Sequence, residues 1–302
     1  MTQDTIHRGR RAAVGMLAGA AMGAALCVRS RGAVEEIRDR PQWPIWSLTL
    51  NSRRLYLMGE TPPRPNDWHD ARIEKLLTGC GALWTETNNT YRTPQKALIE
   101  RFAMSPSRPM SEWLSRDDRE RLRAAAMYCQ IKTVDLEPYR PWCAASILQD
   151  AYYTVSGARG RSADRVLGAI AVERRITQSS EFAAKDDVIA WFASLTPVEE
   201  VQFMRYTLDE ILAGSATNAR VYDEWAMGCP ERATAEVARY TQAYPELAAR
   251  LTTERNRRWI PRFKGMLTDH APPMIIVGLY HMVGDDGLLA LAKRDGFDVK
   301  VV

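Results

Sequence analysis

Apolar and polar positions change period along this chain, and the changes mark out its elements. Residues 44–59, PIWSLTLNSRRLYLMG, hold two apolar runs around Asn51-Ser52 and predict a β-hairpin. In 67–81, DWHDARIEKLLTGCG, Ile73, Leu76 and Leu77 recur at helical spacing before a Gly-Cys-Gly stop. ALWTETN (82–88) predicts a third strand. Helical period then dominates, over 94–103, 116–128, 141–153, 162–174, 185–194, 197–213, 231–243 and 245–267. Pro141, Pro197 and Pro245 each stand where a first helical turn tolerates proline. Near the end, Met274 to Val277 predicts a fourth strand, Asp285 is expected to cap a helix over 286–294, and FDVKVV (297–302) predicts a fifth strand. Between the helices, YTVSGARGRSA (153–163) reads as a loop and a candidate mobile lid.

Strand–helix–strand patterns at 55–86 and 274–302 predict one α/β sheet formed from strands at both chain ends, with a largely helical central cap region. The carboxyl ends of parallel strands then share one rim, where open α/β sheets bind ligands. Three such ends carry polar residues: Gly59-Glu60-Thr61-Pro62, Glu86-Thr87-Asn88 and Gly278-Leu279-Tyr280-His281. A carboxylate and an imidazole meeting there can bind a divalent metal or act as an acid–base pair. A helix following His281 would aim its N-terminal amides at the same cleft.

The first 33 residues stand apart. A basic start with Arg10-Arg11, followed by a weakly apolar Ala/Gly stretch from Ala12 to Val28, resembles a twin-arginine-like signal peptide, with an uncleaved N-terminal anchor as the alternative. The protein is therefore expected to be periplasmic or otherwise exported, touching a membrane only through that segment. The segment holds five of the 41 basic residues and one of the 37 acidic ones, which leaves 36 of each in the remainder. The net charge of +4 thus belongs to the leader, and nothing in the rest calls for nucleic acid. Cys80, Cys129, Cys143 and Cys229 lack zinc-site spacing, and no disulfide is assigned among them.

From PIWSLTLNSRRLYLMG through ARIEKLLTGCGALWTETN, YRPW (139–142) and ERNRRW (254–259) to VGLYHMVGDDGLLALAKRDGFDVKVV (277–302), the chain resembles the TraB/GumN family, to which the TIKI-type metal-dependent peptidases also belong. The resemblance covers residues 40–302 as one domain. It implies two Gly-x-x-His motifs, a glutamate after a strand, and an Arg-Asn pair on a late helix. On this chain the glutamate is Glu86, the second motif is Gly278 with His281, and the pair is Arg255 with Asn256. The implied roles are catalysis by Glu86, His281 and Arg255, substrate binding by Asn256, and metal ligation by Glu86 and His281. Beside them, Glu60 is expected as a substitute oxygen ligand for the metal, and Asn88, just past the third strand, as a substrate contact. The implied cofactor is a divalent metal (Mn, Mg, Ca or Zn), and the implied substrate is a peptide or small molecule. The first motif departs from the pattern: Pro62 stands where histidine is expected, and proline neither ligates a metal nor shuttles a proton. ITQSSEF (176–182) offers only Glu181 in place of a further glutamate motif.

Other residues have plainer readings. His69 starts a helix and is expected to be exposed, His270 lies at the far end of the last apolar strand, and Trp142 and Trp259 read as core. No phosphate-binding glycine loop, nucleophile elbow or His-Glu-x-x-His helix occurs. Two functions follow: an exported metal-dependent, peptidase-like hydrolase, whose inherited activity the loss of the first motif histidine puts in question, or a noncatalytic envelope protein that binds a ligand or polysaccharide.

Overall fold

The computed structural model of the protein describes residues 42–268 and 270–302, so the expected leader, residues 1–33, lies outside the described residues. In chain order the strands are β1 (Ile45–Leu50), β2 (Arg53–Glu60), β3 (Ala82–Thr87), β4 (Thr177–Phe182), β5 (Pro273–Gly278) and β6 (Asp298–Val301). They form one sheet in the order β4-β3-β5-β2-β1-β6. β4, β3, β5 and β2 run parallel, while β1 is antiparallel to both neighbours. The hairpin forms as expected: Asn51 and Ser52 have φ of 49° and 65°, the left-handed pair that a two-residue turn with native strand twist requires.

The helices are α1 (Ala71–Thr78), α2 (Gln95–Phe102), α3 (Met110–Trp113), α4 (Arg116–Tyr128), α5 (Pro141–Val155), α6 (Ala163–Glu173), α7 (Lys185–Ala193), α8 (Pro197–Ala213), α9 (Ser215–Ala226), α10 (Glu231–Ala243), α11 (Pro245–Ala248), α12 (Glu254–Met266) and α13 (Leu288–Arg294). Strand alternation sorts the core into two sheet faces. Leu55, Leu57, Trp84, Ile275 and Val277 pack against α9, α12 and α13. Tyr56, Met58, Leu83, Met274 and Ile276 pack against α1 and α6. A separate core, with Trp142, Leu148, Phe192, Phe203 and Leu208 at its centre, holds α5, α7 and α8 together as the cap.

Four segments differ from the sequence pattern. β4 pairs in parallel with β3 although its residues, TQSSEF, are polar and half exposed; as an edge strand it owes its place to backbone pairing. α9 was not expected, yet its buried Asn218, Val221, Tyr222 and Trp225 follow helical spacing. The helix after His281 begins only at Leu288, capped by Gly287 rather than Asp285, because a 3-10 turn (Leu279–His281) and a tight turn with Gly287 N–H on Gly284 O intervene. The helical run 245–267 also carries a π-helical stretch, Ala249–Thr253, directly before α12.

Candidate functional site

β2, β5, β3 and β4 end together at Glu60, Gly278, Thr87 and Phe182. Between this rim and the cap lies a cleft of about 530 Å³, with Glu60, Glu86, Gly278 and Arg255 among its lining residues. Arg255 reaches it from the first turn of α12. The π stretch before it closes with Glu254 N–H on Ala249 O, one residue longer than an α turn. That extra residue turns every later side chain by roughly 100° about the axis.

Arg255 is the centre of the cleft floor. Its Nη2 donates to Glu86 Oε2 at 2.6 Å and to Glu181 Oε2 at 2.5 Å, and its Nε donates to Glu181 at 3.0 Å. Its Nη1 donates to Leu251 O at 3.3 Å, a carbonyl of the π stretch, and faces His281 Nε2 at 3.4 Å. These contacts occupy the five N–H donors of a guanidinium, so the side chain clamps the site rather than reaching for a ligand. The Trp259 ring lies under it, 4.7 Å from Cζ to centroid. Glu86 is held at both oxygens, because Oε1 accepts Gly278 N–H at 2.6 Å. Burial alone would raise the Glu86 carboxyl; the Arg255 charge, His281 and the Gly278 N–H outweigh it and hold the group below the usual carboxylate value. Glu86 is therefore ionised, and a carboxylate with two such bonds still has lone pairs for a water or ligand in the cleft.

His281 stands behind this pair, 6% exposed. Its Nδ1 lies 2.7 Å from Asn256 Oδ1. Asn256 Nδ2 donates to His281 O at 3.2 Å and to Asp286 O at 2.8 Å, which fixes the amide with its oxygen toward the ring. Nδ1 must then carry the proton, and Nε2 keeps its lone pair, 3.7 Å from Glu86 Oε2. Burial, with the Arg255 charge adding to it against the pull of Glu86, lowers the imidazole to about 4, so it is neutral at pH 7.

The structure thus brings Glu86, His281 and Arg255 together but places other expected residues elsewhere. Glu60 leaves the sheet on the face opposite Glu86, following the alternation of Tyr56 and Met58. Its Oε2 accepts Asp164 N–H, in the first turn of α6, at 3.0 Å. Burial, and next the Asp164 carboxylate, push its carboxyl well above the usual value, which favours its protonated form. Arg255 already engages both Glu86 Oε2, through Nη2, and His281 Nε2, through Nη1, while Glu60 is tied to Asp164. Among the described residues no group of three His, Cys, Asp or Glu side chains could hold a metal. Asn256, expected on the substrate, is fully buried and orients His281 instead. Asn88, also expected there, is exposed outside the cleft, where its Oδ1 accepts Thr90 N–H. Pro62 does line the cleft, and Gly59 serves packing away from it: a Cβ there would meet the Trp225 ring at 2.5 Å.

Glu181 was only a weak candidate in the sequence, because β4 carries no apolar alternation to announce a strand end. The wall formed by α5 was missed altogether: Trp142, Ser146, Gln149, Asp150, Tyr153 and Thr154 share one cleft-facing stripe. Their spacing is that of a helix face, but Trp142 and Tyr153 read equally well as core. The candidate lid is fastened to the proline-rich loop. Gly160 N–H donates to Arg64 O, Trp68 N–H to Arg161 O, and Arg161 Nε to Asp67. His69 is exposed and paired with Glu74.

No curated protein and no solved structure matches the chain. The TraB/PrgY/gumN family profile matches residues 44–301, from the first strand to the end of the last. That span holds the cleft, its clamp and both sheet faces: the chain belongs to the TraB/PrgY/gumN family.

Proposed function

We propose that this protein is an exported hydrolase acting on a peptide-like substrate, with Glu86 as the base and Glu60 as the acid. One observation carries the proposal: the two carboxyl groups face one cleft from opposite sides of the sheet, in opposite electrostatic surroundings. The Arg255 charge beside Glu86 favours its ionised form, whereas burial beside Asp164 favours the protonated form of Glu60. Carboxyl groups whose environments separate them in this way divide into base and acid. Glu86 would take a proton from water in the cleft as that water attacks a carbonyl carbon, and Glu60 would give its proton to the leaving nitrogen. Arg255, His281 and Asn256 hold Glu86 in place. A divalent metal has no part in these steps; Glu86 and His281 would share one only after Arg255 had moved away.

A second reading, a noncatalytic binding protein of the envelope, draws on Pro62 in the first motif and on the fully engaged Arg255. A broad hydrolysis screen of the purified protein separates the two. The enzyme should turn over at least one peptide or amide, and Glu86→Gln and Glu60→Gln should each lower kcat by about 10²–10⁴. A bound ligand with no turnover would favour the binding protein. Export draws on Arg10-Arg11 and the apolar stretch after it; N-terminal sequencing of the fractionated protein should find the first 33 or so residues gone, and an intact Met1 in the cytosol would refute it.

A further inference from the structure

The cleft contains one carboxylate for which the catalytic proposal has no use. Asp150 lies on the α5 stripe, facing the cleft between Gln149 and Tyr153. It makes no ion pair or side-chain hydrogen bond among the described residues. Five cations line the cleft, and none pairs with Asp150: Arg161 is held by Asp67, Arg255 by Glu86 and Glu181, Lys185 stands at the start of α7, and Arg159 and Arg165 lie on the 157–165 segment. The neighbours of Asp150 on the stripe are also short of donors. Gln149 turns its Nε2 to Glu210 Oε2 at 2.9 Å, leaving its Oε1 without a protein partner. Tyr153 spends its hydroxyl on Glu210 Oε1 at 3.1 Å, and Ser146 donates to Trp142 O at 2.9 Å. Glu210, entirely buried, thus points two side chains of the wall away from donation into the cleft.

An acceptor-rich wall with an unpaired carboxylate is complementary to a donor with positive charge. We propose that the ligand of this cleft carries a protonated primary amine, and that Asp150 binds it, with Gln149 Oε1 as a second acceptor. Trp142 and Tyr153 on the same stripe, with Phe192 stacked on Trp142, would take an apolar group next to that amine. An amino-acid amide or a peptide with a free amino terminus has both features. Burial raises the Asp150 carboxyl to about 6, the mark of a charge that the protein itself does not compensate. The proposal rests on the hydrolase reading for the location of the cleft, but concerns binding rather than turnover.

Calorimetry with phenylalaninamide and N-acetylphenylalaninamide as probes, at pH 7.5, tests it on the full chain. The free amine should bind wild type at least about tenfold more tightly than the acetylated probe, a difference of about 1.4 kcal/mol. Asp150→Asn should abolish that preference while leaving the acetylated probe unaffected. Asp150 has no partner to lose, so the variant should fold, and circular dichroism checks this. Equal binding of the two probes, no binding of the amine, or an undiminished preference in Asp150→Asn would overturn the proposal. Amine preference without turnover would sustain it while sinking the hydrolase, and turnover with equal binding would do the reverse.

Discussion

At the scale of single residues, Arg255 is the side chain that the site can least do without. It neutralises Glu86 and Glu181 in a buried setting, so Arg255→Ala leaves two carboxylates with no compensating charge. The expected loss is about 3–5 kcal/mol, the usual result of removing one partner of a buried pair. Glu86→Gln should be far milder, because Arg255 keeps Glu181. Urea unfolding of both variants checks the order, and equal losses would contradict the clamp. Asp150 works in the opposite sense. Its folded-state value, about 6, lies above the ordinary 3.8, so the fold binds this proton more tightly than the unfolded chain does. The group's contribution is then fully present below pH 4 and lost as pH rises through 6. Asp150→Asn should therefore be more stable than wild type at pH 7, by the order of 1 kcal/mol after allowing for the partial exposure of the group, and equal to it near pH 3. Thermal unfolding at the two pH values shows it, and a variant less stable at pH 7 would count against an unpaired carboxylate.

Among the elements, those with strong apolar period were legible in the sequence and those held by backbone or turn geometry were not. The hairpin β1–β2, the strands β3 and β5 and the proline-started helices α5 and α8 all follow their patterns. β4 does not, since an edge strand of polar residues carries no alternation, and with it Glu181 escaped firm notice. Glu86 and His281 could be placed on one rim because each directly follows a buried strand. The face on which Glu60 leaves the sheet depends on alternation carried to the last residue of β2, where the structure ties its carboxyl to the Asp164 N–H. The π stretch that turns Arg255 into the cleft has no sequence signature at all. Gly59 gives an element-scale test of packing. With Trp225 Cζ2 2.5 Å from where a Cβ would stand, Gly59→Ala must push α9 off the sheet, at a cost of about 1–3 kcal/mol. Denaturant unfolding reads this, and a loss within a few tenths of a kcal/mol would mean that the contact yields freely.

At the scale of the whole fold, the described residues form a six-stranded sheet with helices on both faces and a separate helical cap, and the cleft lies where the cap meets the carboxyl rim of the parallel strands. The balanced charge of residues 34–302 gives no long-range attraction to a polyanion, which suits the proposed local recognition in the cleft. Membership of the TraB/PrgY/gumN family sets the frame for the whole of this sheet and its cleft. The most direct test is the pH–rate profile of chelator-treated protein on an amide with a free amine. The account predicts a bell: the rate rises as Glu86 ionises at low pH, holds through neutrality while Glu60 keeps its proton, and falls as Glu60 ionises, with Glu86→Gln flat and near background. No turnover at any pH, or turnover restored only by added zinc, manganese, magnesium or calcium, would contradict it.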